Sequence, residues 1–256
     1  MELGPGTRVL VTGASRGIGE VVARAFAERG CTLGLVARSE PDPSGLPGEG
    51  HVGMAADVAD RDSIAAAVEG FGPDVVVANA GIADYQPFPE LDLDKAERMT
   101  RINWLGTLYT VKPALPGMLE RGRGHVVVVS SGAGIRAFPG ASVYGATKFA
   151  QRGFAEALRH ELAGTGVSVT TVYPGQLATS LHDHEKASMP AWYADAASAP
   201  PEPIGGLVVR AVEQDRAEVF YPSNVRSLRV AHGISPRLAD RVLRRLRGTS
   251  AAPRRG

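Results

Sequence analysis

Residues 8–30 read RVLVTGASRGIGEVVARAFAERG, and this stretch constrains the possible folds of the chain more than any other. An apolar run gives way to three glycines, Gly13, Gly17 and Gly19. A helical pattern follows, in which Val21, Val22, Ala25 and Phe26 share one face. Gly30 is a natural stop. A strand that turns through glycines into a helix gathers free backbone N–H groups and the positive end of a helix dipole at one point. The missing Cβ atoms let a ligand reach that backbone. A glycine motif without this context is weak, and here the context is present. The pattern points to a pyrophosphate at the helix N-terminus, with Gly13, Ser15, Arg16, Gly17, Ile18 and Gly19 as the candidate residues around the bound ligand.

The same alternation continues along the chain. TLGLVAR, HVGMAAD, DVVVAN, HVVVVSS and VSVTTVYP are short apolar segments, most of them separated by helical stretches, and AEVFYP (217–222) is a plausible last strand. Strands that are apolar throughout and alternate with helices predict a parallel sheet covered on both faces. The expected fold class is α/β: a single-domain, doubly wound parallel sheet of the Rossmann type. Three segments break the alternation. SEPDPSGLPGEG (39–50) is too rich in proline and glycine for a helix and predicts a loop crossover. Residues 182–206, with Met189, Trp192 and Tyr193, predict a flap over an apolar substrate. Residues 224–256 form a basic extension beyond a catalytic domain of 1–223. Leu238, Val242, Leu243 and Leu246 mark an apolar helical stripe in it, and about eight residues at its end are expected to be disordered.

The formal net charge of +1 hides an asymmetry. Residues 226–256 carry nine arginines against Asp240, for +8, so residues 1–225 carry −7. A solvated basic helix explains this better than nucleic-acid binding, and no nucleic-acid partner is expected. Contact with a membrane surface is the second use such a tail could serve. The one cysteine, Cys31, rules out a disulfide within the chain and fits a reducing, cytoplasmic setting. It begins a buried strand and reads as core. No apolar run approaches the roughly 18 residues of a membrane span, and no secretory signal is visible.

The second strand ends at Ala37 and Arg38. A dinucleotide site often has an acid near this point to grip a ribose 2′-hydroxyl. Here a base stands instead, and Arg16 adds another within the glycine turn. Guanidinium groups bind phosphate through paired, charge-assisted hydrogen bonds. The two arginines therefore favour NADP(H) over NAD(H).

VYGATK (143–148) places Tyr144 and Lys148 on one helical face with only small residues between them. A nearby ammonium lowers a phenol's pKa and makes it a usable proton donor and acceptor. The motifs taken together resemble the short-chain dehydrogenase/reductase family over about residues 1–180. They are the glycine loop, NAG at 79–81, Asn103 in RINWLG, Ser131 at 13 residues before Tyr144, the Tyr144/Lys148 pair, and PGQLAT at 174–179.

The resemblance implies a set of roles. Tyr144 passes a proton to the substrate oxygen, Ser131 hydrogen-bonds that oxygen, and Lys148 holds the nicotinamide ribose and tunes Tyr144. Asn103 supports a water that links Lys148 to solvent. Asp57 and Val58 meet the adenine end, while Asn79, Ala80 and Gly81 lie along the adenosine ribose. Pro174, Gly175 and Thr179 lie at the nicotinamide. Arg136, Phe138, Trp192 and Tyr193 border the substrate pocket. The resemblance also implies a small-molecule carbonyl or alcohol substrate. A homodimer or homotetramer through the helices of Asn103 and Tyr144 is implied as well.

Ser130 competes with Ser131, but neighbours in a strand face opposite ways and the spacing favours Ser131. HDHE (182–185) has the look of a metal site, yet it sits in the flap and the chemistry needs none, so no metal is expected. Two rivals remain: a cofactor sensor without turnover, and a reductase recruited to a membrane surface by the arginine tail. The complete Ser131, Tyr144 and Lys148 set argues against the first.

Overall fold

A computed structural model describes residues 1–179, 198–235 and 237. Seven strands form one parallel sheet: β1 (Arg8–Thr12), β2 (Thr32–Ala37), β3 (Val52–Ala55), β4 (Val75–Ala78), β5 (Gly124–Val129), β6 (Val167–Pro174) and β7 (Glu218–Tyr221). Their order is β3-β2-β1-β4-β5-β6-β7, with every neighbour parallel. Among the described residues the α-helices are α1 (Gly17–Ala27), α2 (Arg61–Phe71), α3 (Leu93–Thr100), α4 (Gly106–Glu120), α5 (Ser142–Glu161), α6 (Glu202–Glu213) and α7 (Asn224–Ile234). The expected Rossmann architecture is present, with its strands where the apolar runs placed them.

Side chains alternate across a strand, so each strand feeds two cores. Val9 and Val11 of β1 pack with Phe26 of α1 and with Ile204 and Val208 of α6. Leu10 points the other way, into a layer with Ile64 of α2, Met118 of α4 and Leu158 of α5. Both layers exclude water, so β4 and β5 are buried at every residue, while β3 at the sheet edge is only partly covered. Burying about ten such side chains contributes on the order of 20 kcal/mol before chain entropy is set against it.

Local signals place the helix ends. Asp60 caps α2 by accepting hydrogen bonds from the N–H groups of Asp62 and Ser63, and Gly72 ends it in the left-handed region at φ 61°. The 39–50 crossover contains turns and no helix, as its prolines predict. Cys31 is buried in the core beside Leu33, and burial pushes its thiol pKa up, which disfavours the thiolate.

The basic stretch begins inside a packed element. Val225 of α7 is buried against Ile135 and Tyr173, and Arg229 pairs with Glu218 of β7. The stripe of Leu238, Val242, Leu243 and Leu246 lies outside the described residues. So does most of the 182–206 segment. Among the described residues, no helix is long and apolar enough to cross a membrane.

Candidate active site

The chain winds outward in both directions from the β1–β4 pair, so loops diverge there and leave a crevice at the carboxyl ends of the strands. A cleft of about 410 Å³ opens along this line. Its middle is lined by Gly13, Ser15, Arg16, Gly17 and Ile18 after β1, and by Asn79, Ala80 and Gly81 after β4. Arg38 after β2, with Asp57 and Val58 after β3, lines one end. Ser131, Tyr144, Lys148, Pro174, Gly175 and Thr179 line the other. Residues spread over 167 positions of sequence thus meet in one cleft, because each follows the carboxyl end of a strand or the start of α5.

The glycine turn is shaped for a bound anion. Gly13 and Gly17 adopt φ 66° and 63°, a region L side chains rarely visit. A Cβ on Gly13 would come within 3.0 Å of Ala80 Cα. Arg16 at the start of α1 makes no side-chain cap, so the first N–H groups of the helix carry no side-chain acceptor. Asn79 braces the turn from behind. Its Nδ2 donates to the carbonyls of Thr12 at 2.9 Å and Gly13 at 3.3 Å, and its backbone N–H donates to Thr12 Oγ1 at 3.0 Å. A dinucleotide fits this donor set: uncapped helix N–H groups for the pyrophosphate, with Arg16 and Arg38 available to a 2′-phosphate.

Gly19 and Asn103 were expected in the site, but neither lines the cleft. Gly19 lies behind the turn, where a Cβ would fall 2.2 Å from the Gly13 carbonyl oxygen. It allows helix and strand to close together and leaves the lining of the cleft to Gly13 and Gly17. Asn103 is fully buried in a single π-helical turn (Arg101–Leu105) between α3 and α4. Its Oδ1 accepts from Ile82 N at 2.8 Å, and its Nδ2 donates to Ile82 O at 2.9 Å and Thr147 Oγ1 at 3.1 Å. Its carbonyl accepts from Thr107 Oγ1 and from Gln151 Nε2, each at 2.8 Å. The interval between Asn103 and Lys148, where the resemblance implied a water, holds the Gln151 side chain. Asp57 also has a local duty, since its Oδ1 accepts from Ala59 N at 2.9 Å.

The two serines divide as a strand end requires. Ser130 Oγ donates to the Lys148 carbonyl at 2.8 Å and is buried. Ser131 caps a short 3-10 turn through Ala133 N at 3.1 Å while lining the cleft. Tyr144 is buried to 5 % exposure, and the Lys148 ammonium lies 5.8 Å from its ring centre. Lys148 Nζ donates to Val129 O at 3.1 Å and Gln151 Oε1 at 2.9 Å. Burial pulls its pKa down from 10.5 to about 7, because a charged group loses more solvation than a neutral one.

Phe138 reaches the site indirectly. Its ring stacks on Tyr85 at 5.9 Å, and Tyr85 meets Tyr144 edge-on at 5.7 Å. Arg136 does not line the cleft. Trp192, Tyr193 and the HDHE stretch lie outside the described residues. Among the described residues, no cluster of three His, Cys, Asp or Glu side chains could hold a metal ion. Sequence reasoning missed Thr12, Tyr85 and Gln151. Thr12 was signalled by its place in the turn. Tyr85 and Gln151 belong to no motif: Tyr85 meets Tyr144 across 59 residues of sequence, and Gln151, one turn after Lys148 on α5, is tied to the site by Asn103, 48 residues away.

Comparison with known proteins adds to this geometry. The family model described as short chain dehydrogenase matches residues 7–190. Glycine betaine reductase ATRR of Emericella nidulans is 41% identical over 69% of this chain, which spans only 15% of that protein's length. Ketoacyl reductase HetN of Nostoc sp. is 33% identical, covering 93% of this chain and 88% of its own. NADP-dependent 3-hydroxy acid dehydrogenase YdfG of Salmonella typhi is 38% identical over 65% of this chain and 71% of its own. A short chain dehydrogenase from Burkholderia cenocepacia, solved in complex with NADP, superposes with a TM-score of 0.81. It is 24% identical and matches over 94% of this chain and 99% of its own.

Proposed function

The chain belongs to the short chain dehydrogenase family, and on that premise we propose that it is an NADP(H)-dependent oxidoreductase acting between a carbonyl and a secondary alcohol. One observation carries the proposal. Ser131, Tyr144 and Lys148 line one end of a cleft whose middle is the glycine turn and whose other end bears Arg38. The bound nicotinamide supplies or accepts the hydride. In reduction, Tyr144 gives its phenolic proton to the substrate oxygen as the carbon gains hydride. In oxidation, it takes that proton back. Ser131 Oγ donates a hydrogen bond to the same oxygen and fixes it near Tyr144. Lys148 has one N–H beyond its bonds to Val129 and Gln151, and the resemblance assigns it to the nicotinamide ribose. Its charge favours the phenolate of Tyr144.

Arg16 and Arg38 support NADP(H) over NAD(H), as does the name of one relative. Reduction is favoured, since NADPH is the usual reducing pool. A homodimer or homotetramer belongs to the same proposal. The test is NADPH oxidation across ketones, aldehydes and quinones by wild type and Tyr144→Phe, with NADH in parallel. Turnover in wild type alone is the expected result. NADH preference overturns the cofactor assignment, and equal turnover in the variant overturns the role of Tyr144.

A further inference from the structure

Gln151 belongs to none of the motifs that the sequence presents. It follows Lys148 by three residues on α5 and is fully buried. Every polar atom of its amide is engaged. Oε1 accepts from Lys148 Nζ at 2.9 Å, while Nε2 donates to Asn103 O at 2.8 Å and Thr107 Oγ1 at 2.7 Å. The Asn103 carbonyl, already bonded to Thr107 Oγ1, thereby uses both lone pairs. Val129 O takes a second ammonium N–H, and the third is left for the cleft.

We propose that Gln151 is a positioning residue that holds the Lys148 ammonium in register with the cleft by tying it to the Asn103 π-turn. This rests on the function proposed above for the consequences in turnover, but the clamp itself is a property of the cofactor-free protein. An amide neither gains nor loses a proton near neutral pH. Gln151 therefore holds the lysine without itself relaying a proton toward α4. The groups facing Lys148 support the assignment. Val129 of β5 offers a carbonyl, Gly81 after β4 offers only backbone, and the π-turn offers Asn103. Tyr144 on α5 is the only titratable side chain among these neighbours. Burial is what lowers the lysine pKa, and among the described residues the Val129 carbonyl and Gln151 Oε1 are the acceptors that support its charged form.

The chain has only four lysines, Lys95, Lys112, Lys148 and Lys186, so lysine-selective ¹³C labelling resolves the titration of each Cε. The experiment follows that titration in cofactor-free wild type, Gln151→Met and Gln151→Asn, with Lys148→Met to assign the signal. A hydrogen bond to a charged group is worth about 1–2 pH units. The Lys148 midpoint is expected to fall by at least one unit in Gln151→Met and by less in Gln151→Asn, which withdraws the amide by one methylene. Should the methionine variant not fold, the asparagine variant alone carries the test. An unchanged midpoint overturns the clamp. A second readout is the pH profile of alcohol oxidation, expected to move to higher pH in the same variants. Absence of turnover in wild type counts against the proposed function and leaves the titration result standing.

Discussion

Lys148 carries a stability signature that can be measured without a substrate. Its pKa is pulled from 10.5 to about 7 by burial. Between those values the unfolded chain binds a proton that the folded protein does not. Wild-type stability must therefore rise with pH through this window, at up to about 1.4 kcal/mol per pH unit. With the folded midpoint at about 7, the rise from pH 7 to pH 9 comes to about 2 kcal/mol. Lys148→Met removes the titrating group and with it the rise. It also leaves the Val129 carbonyl and Gln151 Oε1 without their donor, which destabilises by about 1–3 kcal/mol each. That loss does not depend on pH, so the slope is the clean quantity. Urea unfolding of both proteins, cofactor-free, at pH 7, 8 and 9 measures it. Wild type should gain about 2 kcal/mol more than the variant across the range. Parallel lines would refute the argument, because they would mean the lysine is as well solvated folded as unfolded.

Other outcomes follow from the same geometry. Tyr144→Phe should reduce turnover by about 10²–10⁴-fold while NADPH binding, followed by cofactor fluorescence, persists. Gly19→Ala forces a Cβ to 2.2 Å from the Gly13 carbonyl, so a melting-temperature loss equivalent to at least about 2 kcal/mol is expected. An unaltered melt would contradict the close packing. Arg38→Ala and Arg16→Ala should each raise KM for NADPH by about 10-fold or more and leave KM for NADH nearly unchanged. Ser131→Ala should lower kcat sharply, with a stability loss of only about 1 kcal/mol, the contribution of its cap on Ala133 N. Ser130→Ala should do the reverse, since its hydroxyl serves the Lys148 carbonyl.

The agreement between sequence and structure has a local origin. Strands buried on both faces must be apolar throughout, and a strand buried on both faces in a chain that alternates with helices is a parallel one. That is why RVLVTG, DVVVAN and HVVVVSS were legible as β1, β4 and β5. Gly13 and Gly17 were legible because positive φ leaves few alternatives to glycine. The choice of Ser131 over Ser130 came from spacing, and the structure adds that the Ser130 hydroxyl is already bonded to the Lys148 carbonyl.

The sequence by itself determined the order of elements, the glycine turn and the one-turn separation of Tyr144 from Lys148, because each depends on residues within a few positions of one another. Tertiary structure alone decided which of those residues face the cleft. Gly19 and Asn103 carry the motif but stand behind the lining, and Gln151 carries no motif but grips the lysine. A side chain's facing is set by the elements packed around it, and for Asn103 and Gln151 those elements lie 48 residues apart.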